Sequence, residues 1–113
     1  MTRQWHYKAE WLNKSHLQKQ LTPEEFPQDE ILAELFKDFD YFLSKQSDDP
    51  ARVQHWMDAK MVTQKEIDLM IAYAVEHGGQ IWRYSDMGIL CGSSGYCVVV
   101  GDEIKEVWAI WRS

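Results

Sequence analysis

The chain has 113 residues, 45% of them hydrophobic, and its 18 acidic and 12 basic residues give a net charge of −6. This length predicts one domain over residues 1–113, and the many aromatic residues exclude a long disordered region. The acidic balance disfavours nucleic acid and anionic membrane surfaces as partners, because both attract clustered Lys and Arg.

The sequence also predicts where the protein resides. No apolar run approaches the roughly 20 residues of a membrane span, and the first residues lack the apolar centre of a signal peptide. We therefore expect a cytoplasmic protein with no membrane contact. In that compartment both cysteines, Cys91 and Cys97, are expected to stay reduced.

Residues 3–12 alternate between apolar and polar side chains, which is the period of a half-buried strand. Residues 13–26 are polar, and residues 22–25 are typical of a turn or a helix start. The predicted strand carries on one side the residues Trp5, Tyr7, Ala9 and Trp11.

Three helices are predicted next, each with apolar residues at helical spacing. Asp49 and Pro50 predict the start of the second helix, as an N-cap followed by proline at the first helical position. Thr63 and Glu66 have the spacing of a capping box and predict the start of the third, which Gly78 ends. The three helices cover residues 28–45, 50–60 and 63–77.

The remainder predicts short strands separated by turn residues. Gly101 and Asp102 are the expected hairpin turn before the last strand, and residues 86–88 are another turn. The last strand is apolar on both sides, which predicts burial of both faces. Its two sides carry Ile104, Trp108 and Ile110, and Val107, Ala109 and Trp111. The predicted strands cover residues 81–85, 89–91, 96–100 and 104–111.

This order of elements, β-α-α-α-β-β-β-β, predicts an α+β two-layer sandwich in which the helices cover one face of a C-terminal antiparallel sheet. The N-terminal strand is expected to join that sheet, because an isolated strand is not stable. The other face of the sheet then remains for solvent or for a partner.

The sequence is unusually rich in tryptophan, with six in 113 residues, five of them in predicted strands. Trp and Tyr dominate the energetic centres of protein interfaces and also line small-ligand pockets. The simpler interpretation, a Trp-rich core beneath the helices, stays open beside this one. The candidate binding surface consists of Trp5, Tyr7, Trp11, Trp82, Tyr84, Trp108 and Trp111.

Residues 91–96 form a glycine-rich segment, with residues 92–95 as the expected loop, and its backbone amides suit an anion. The segment lacks the residues of a P-loop and of a dinucleotide-binding turn, so a plain hairpin loop is the simpler interpretation. A pocket near this segment, between the sheet and the helices, would have as its polar lining Arg83, Asp86, Cys91, Ser93 and Ser94.

Catalytic and metal-binding patterns are weak. Cys91, with His77 as base and Asp86 as orienting acid, has the composition of a thiol nucleophile but no accompanying signature. Cys97 lies in an apolar strand and is predicted to be core. The histidines lack metal-ligand spacing. We therefore predict no catalytic residue, no metal and no cofactor.

The two predicted helices 50–60 and 63–77, followed by a hairpin, have the order of a winged helix-turn-helix. The second helix, however, offers neither a basic face nor base-reading side chains. DNA binding is therefore disfavoured, and the dispersed acidic residues are typical of a solvated surface.

Two hypotheses of function remain. The first is a non-enzymatic binding module that engages a protein partner, or a second copy of itself, through the aromatic sheet surface. The second is a small-molecule binder or enzyme with its pocket between sheet and helices. A broad apolar patch favours the first, and a closed concavity with convergent polar groups favours the second.

Overall fold

The computed structural model describes residues 12, 14–87 and 92–112. These residues form an α+β fold with one four-stranded antiparallel sheet and two helices. Short 3-10 turns at Lys14–His16 and Phe26–Gln28 precede β1 and α1. The elements in chain order are β1 (Leu17–Leu21), α1 (Glu30–Lys45), α2 (Pro50–His77), β2 (Gln80–Met87), β3 (Gly92–Val100) and β4 (Glu103–Arg112).

The strands lie in sequence order, β1-β2-β3-β4, and each is antiparallel to the next. The connection from β1 to β2 carries both helices. The predicted hairpin turn is confirmed, because Val100 pairs with Glu103 across Gly101 and Asp102. Gly101 has φ of +61°, a left-handed conformation that glycine adopts without strain.

The prediction of three helices is wrong, because the second and third are one continuous helix, α2. Thr63 is inside this helix, where its hydroxyl donates to the carbonyl oxygen of Ala59 at 2.8 Å instead of capping a new helix. Thr63 and Glu66 are both buried, on the same face as the apolar residues of the helix. Burial of that face continues the helix through the predicted break, which also removes the helix-turn-helix.

Other helix signals are confirmed. The Asp49 carboxylate accepts hydrogen bonds from the backbone N–H groups of Ala51 and Arg52, so it caps α2. Gly78 ends α2 in the left-handed conformation, with φ of +63°. The first predicted helix, 28–45, corresponds to α1.

The polar stretch of the sequence contains a strand, β1, that was not predicted. Only the ends of β1 are apolar, and its three central residues are exposed, so it lacks the alternation that marks a half-buried strand. After β1, Thr22 and Glu25 bond reciprocally, each side chain accepting from the other's backbone N–H at 3.0 Å. This capping box leads into the 3-10 turn and confirms the predicted turn.

The predicted loop at residues 92–95 is wrong, because these residues are the first part of β3. Gly95 pairs with Tyr84 on one side and with Ala109 on the other. A Cβ atom at Gly95 would lie 2.1 Å from the carbonyl oxygen of Trp108. Glycine here permits close approach of two strands, and it does not mark a loop.

The strands predicted at residues 81–85, 96–100 and 104–111 are present as β2, β3 and β4, and each is longer than predicted. Residues 86–87 continue β2 and do not form a turn, because Asp86 pairs with Ser93 in the ladder. The predicted strands at 3–12 and 89–91 lie outside the described residues, apart from Leu12. None of the described helices has the length and apolarity needed to cross a membrane.

Both faces of the sheet are buried, as predicted for the last strand. The helix-side face and the helices form one cluster, which contains Leu21, Phe26, Leu32, Ile67, Met70, Ala74, Ile81, Tyr96, Val98 and Trp108. The opposite face, which we call the far face, carries a second cluster of Leu12, Tyr84, Cys97, Val99 and Val107.

Ile104 lies on the opposite face of the sheet from the one predicted. The pairing of β3 with β4 shifts between Val98 and Val99, which leaves an extra residue in β4. As a result Ile104 packs on the far face beside Val107, and not with Trp108 as predicted.

Candidate functional site

A cavity of about 320 Å³ lies where α1, α2 and β4 meet. Four of its nine lining residues are aliphatic, two are aromatic, and three are polar or ionisable, the histidine included. The lining consists of Leu35, Phe39, His55, Ala59, Val62, Thr63, Glu66, Trp108 and Ile110. Side chains of three separate elements thus converge on one concavity.

The spacing of the lining residues follows from the elements that carry them. Leu35 and Phe39 are four residues apart, so they share one face of α1. The residues of α2 recur at three and four, which places them on one face of that helix. Trp108 and Ile110 alternate along β4 and therefore point to the same side of the sheet.

The aromatic wall of the cavity is held by neighbouring rings. The Trp108 side chain, only 2% exposed, packs against Tyr96 with ring centroids 6.1 Å apart and edge-on against Phe26 at 6.5 Å. Phe39 lies 6.1 Å from Trp56. Contacts of this kind restrict both rings of the wall to defined orientations.

The polar groups of the cavity are a buried acid, a hydroxyl and an exposed histidine. Glu66 is 2% exposed, and both of its carboxylate oxygens are shielded from water. The Thr63 hydroxyl has given its hydrogen to Ala59, so toward other groups it offers lone pairs. His55 is exposed and lies edge-on to Trp56, at the outer part of the lining.

Three further clefts among the described residues are more open to solvent than this cavity. One of about 580 Å³ is lined by α1 alone, so it has a single wall. A groove of about 560 Å³ lies between α1 and α2 and includes the exposed Met57 and Met61. A polar cleft of about 250 Å³ lies beside Lys19 and Glu25.

A second buried carboxylate, Asp29, lies at the start of α1. It accepts a hydrogen bond of 2.5 Å from the Tyr96 hydroxyl, and Arg83 Nη1 lies 3.3 Å from each of its oxygens. The same Arg83 nitrogen is 2.9 Å from Glu30. We call these four residues the Asp29 cluster.

The Asp29 cluster ties the helical layer to the sheet. Asp29 occupies the N-cap position of α1, yet its carboxylate bonds to β2 and β3 and not to the helix. Burial, together with the hydrogen bond to Asp29, raises the pKa of Tyr96 well above its usual value near 10. The Tyr96 hydroxyl therefore keeps its proton and remains a donor at ordinary pH.

The structure does not bring the described aromatic candidates onto one surface. Trp82 is half-buried and Tyr84 fully buried, both on the far face, whereas Trp108 is on the helix side. Trp5, Tyr7 and Trp11 lie outside the described residues, as does the side chain of Trp111. Among the described candidates only Trp108 lines the cavity.

The candidates for a pocket near residue 91 are distributed over both faces of the sheet. Arg83 belongs to the Asp29 cluster, and Ser93 is buried with its hydroxyl 2.6 Å from that of Tyr84. Asp86 lies 3.3 Å from His16, and Ser94 pairs with Ser85 in the ladder. Cys91 lies outside the described residues. None of the described four lines the cavity.

Of the two cysteines, the structure describes Cys97. Cys97 is fully buried, which confirms it as core, and burial raises the pKa of its thiol to about 12. A thiol in that state is a poor nucleophile. Within residues 12, 14–87 and 92–112, no three His, Cys, Asp or Glu side chains are grouped to hold a metal ion.

Sequence reasoning missed the acid of the cavity, although a signal was present. Glu66 interrupts the spacing of Ile67, Met70 and Ala74 with a charge on their own face. Interpreted as a capping-box residue, it was assigned to a helix end instead. A charged residue within an apolar stripe is seldom fully buried, so Glu66 differs from its neighbours on this face.

Comparisons of this chain with protein-family models, with curated proteins and with solved structures found no match in any of the three. The site is therefore interpreted from its geometry and chemistry.

Proposed function

We propose that this protein binds a small, largely apolar molecule in the cavity between α1, α2 and β4, without chemical conversion of that molecule. The observation that carries the proposal is the convergence of three elements on one concavity of about 320 Å³. Ligand pockets in proteins are typically concave, mostly apolar and upward of about 300 Å³, with a few placed polar groups.

The nature of the walls supports this proposal. Trp108 and Phe39 line the cavity, and neighbouring rings restrict the orientation of both. A wall that is ordered before binding costs little conformational entropy when the ligand enters. The proposal retains a cytoplasmic location, where the buried thiol of Cys97 is stable in its reduced form.

A fluorescence titration with N-phenyl-1-naphthylamine, a neutral apolar dye, tests the proposal. We expect saturable binding at micromolar dye, with an increase in fluorescence as the dye leaves water. Ala59→Phe places a ring in the cavity and is expected to weaken binding at least tenfold. Ala72→Phe is the matched control, because it makes the same change at an exposed position of the same helix.

The variants separate the cavity from other sites. Equal loss of binding in Ala59→Phe and Ala72→Phe would indicate general disruption and contradict the proposal, as would the absence of saturable binding. Met61→Gln tests the groove between α1 and α2 in the same way, because Met61 lines the groove and not the cavity. We expect Met61→Gln to leave the titration unchanged.

A second candidate is self-association through the far face of the sheet. The observation that favours it is Trp82, which is half-buried on the far face and whose indole N–H donates to Gln80 of the same strand at 3.1 Å. Part of this ring therefore remains available for a second copy of the chain.

Light scattering coupled to size exclusion tests the second candidate. A dimer that becomes monomeric in Trp82→Ala or Trp111→Ala, with an unchanged circular dichroism spectrum, would support it. A wild-type mass equal to that of the monomer at the highest concentration tested would reject it.

A further inference from the structure

The middle of α2 places one hydroxyl on the wall of the cavity. Thr63 is 8% exposed and lines the cavity one helical turn after Ala59, which lines it as well. The Thr63 hydroxyl donates its hydrogen to the carbonyl oxygen of Ala59 at 2.8 Å. Because this bond joins two lining residues, the hydroxyl oxygen lies between them, on the side of α2 that forms the wall.

This hydrogen bond leaves the Thr63 oxygen able to accept but not to donate. A hydroxyl group has one hydrogen and two lone pairs. The hydrogen is committed to Ala59, and the described residues direct no donor to the lone pairs. A buried acceptor without a partner loses the hydrogen bonds that it would form in water. The wall therefore favours a ligand that supplies a donor over one that supplies only an acceptor.

The other two polar residues of the lining are placed differently. Both Glu66 oxygens are shielded from water, so the carboxylate is closed to a ligand and its charge takes no part in the inference. His55 is exposed and lies edge-on to Trp56 at the outer part of the lining, where solvent competes for its ring nitrogens. Among the described lining residues, Thr63 is therefore the polar group that a ligand meets inside the cavity.

The apolar part of the wall favours an uncharged ring. The rings of Trp108 and Phe39 line the cavity together with the aliphatic side chains of Leu35 and Ile110. Aromatic rings pack favourably against other aromatic rings. A charged group in such surroundings loses its hydration without an open counter-charge to replace it. The walls and the Thr63 oxygen together fit an uncharged aromatic ring with one hydrogen-bond donor.

We infer that the ligand of this cavity is an uncharged aromatic compound with a hydroxyl or arylamine group, which donates a hydrogen bond to the Thr63 hydroxyl oxygen. This inference rests on the proposed function, because it names the ligand class of the same cavity. It adds a specificity-determining residue, Thr63, which the apolar volume alone does not require.

Three probes that share one ring system test the inference by isothermal titration calorimetry. They are 1-naphthol, 1-naphthylamine and 1-methoxynaphthalene, all uncharged at pH 7. The first two carry a donor, whereas the ether carries only an acceptor. A single uncharged hydrogen bond changes affinity about threefold to tenfold. With the wild-type protein we expect 1-naphthol and 1-naphthylamine each to bind at least about threefold more tightly than 1-methoxynaphthalene.

Thr63→Val keeps the branched shape of the side chain and removes its oxygen. We expect this variant to reduce the preference for 1-naphthol over 1-methoxynaphthalene to less than about twofold, because one hydrogen bond is lost for 1-naphthol alone. Thr63→Ser retains the hydroxyl and is expected to retain the preference. His55→Leu removes the exposed acceptor of the same lining and is the second control, which should also retain it.

The outcomes distinguish the inference from the proposal beneath it. If the three probes bind equally, or the ether binds best, the cavity binds ligands but the inferred ligand class is wrong. If Thr63→Val retains the preference, or His55→Leu abolishes it, the donor binds to another acceptor and the inference is also wrong. If no probe binds, the proposed function fails. Should Thr63→Val not fold, the wild-type affinities and those of His55→Leu decide the inference together.

Discussion

Two buried carboxylates, Asp29 and Glu66, lie in contrasting surroundings, 6% and 2% exposed respectively. Asp29 receives donors from two strands, Tyr96 from β3 and Arg83 from β2. Glu66 forms part of the wall of a cavity whose other members are mostly apolar. The hydrogen bonds of Asp29 therefore tie it to the fold, whereas Glu66 belongs to the wall of the proposed site.

The strongest test of this comparison is Asp29→Ala, which leaves Arg83 and the Tyr96 hydroxyl without their buried acceptor. Removal of one partner of a buried charged pair costs about 3–5 kcal/mol of the free energy of unfolding. Urea denaturation measures this loss. Glu30→Ala is the control, because the Glu30 side chain is 79% exposed and such a pair contributes less than about 1 kcal/mol. Equal effects of the two variants would contradict the role of Asp29.

The hydrogen bond from Tyr96 has a smaller expected effect. Tyr96→Phe removes the hydroxyl that donates to Asp29 and keeps the ring against Phe26. A hydrogen bond to a charged group contributes about 1.5–3 kcal/mol, so a loss of about 2 kcal/mol is expected in the same measurement. The double variant Asp29→Ala/Tyr96→Phe should lose less than the sum of the two single losses, because the residues are in contact. Strict additivity would show that they do not interact.

Alkaline pH provides a smaller test of the same cluster. Burial raises the pKa of Tyr96 above its usual value near 10, so the unfolded chain loses this proton at lower pH than the folded protein does. The stability contributed by the protonated hydroxyl is thus present below pH 10 and lost as pH rises above it.

The expected loss at pH 10.5 is less than about 1 kcal/mol relative to pH 8. It is measured as the difference in unfolding free energy between wild type and Tyr96→Phe at the two pH values. Comparison with this variant cancels the contribution of other groups, including the Cys97 thiol. A difference that stays constant or grows with pH would contradict the assignment.

The smallest effect on stability is expected for Glu66→Gln. Neutralising this side chain removes the cost of burying a charge together with whatever attraction the charge provides, and these two contributions offset each other. We expect a change of less than about 1 kcal/mol in unfolding free energy, against a clearly larger loss for Asp29→Asn. A loss at Glu66 as large as that at Asp29 would place both acids in the fold and end the contrast between them.

Sequence patterns predicted those parts of the fold that depend on neighbouring residues. The α1 stripe, the cap at Asp49, the end of α2 at Gly78 and the turn at Gly101 are all set within a few positions of the chain. Sequence patterns gave a wrong prediction where a contact between residues far apart in the chain decides the local structure. Gly95 has the composition of a loop, and only its approach to the backbone of Trp108 places it inside a strand.

The candidate site was predictable only in outline. A pocket between sheet and helices was one of the two hypotheses, whereas Trp108 was a candidate of the other, the aromatic sheet surface. The polar residues chosen for it were near residue 91 in sequence, whereas the cavity takes Thr63 and Glu66 from the middle of α2. Thr63 and Glu66 are more than 40 residues from Trp108 in the sequence, and no local pattern indicates that they line the same cavity.

The sequence by itself determined the α+β class, the helix ends at Asp49 and Gly78, and the hairpin at Gly101, because capping and turn conformation act through adjacent residues. The tertiary structure alone decided that α2 passes through Thr63 without a break and that β1 joins the sheet. It also decided the separate surroundings of Asp29 and Glu66. Their burial depends on which elements pack against them, and that packing is set by contacts between residues far apart in the chain.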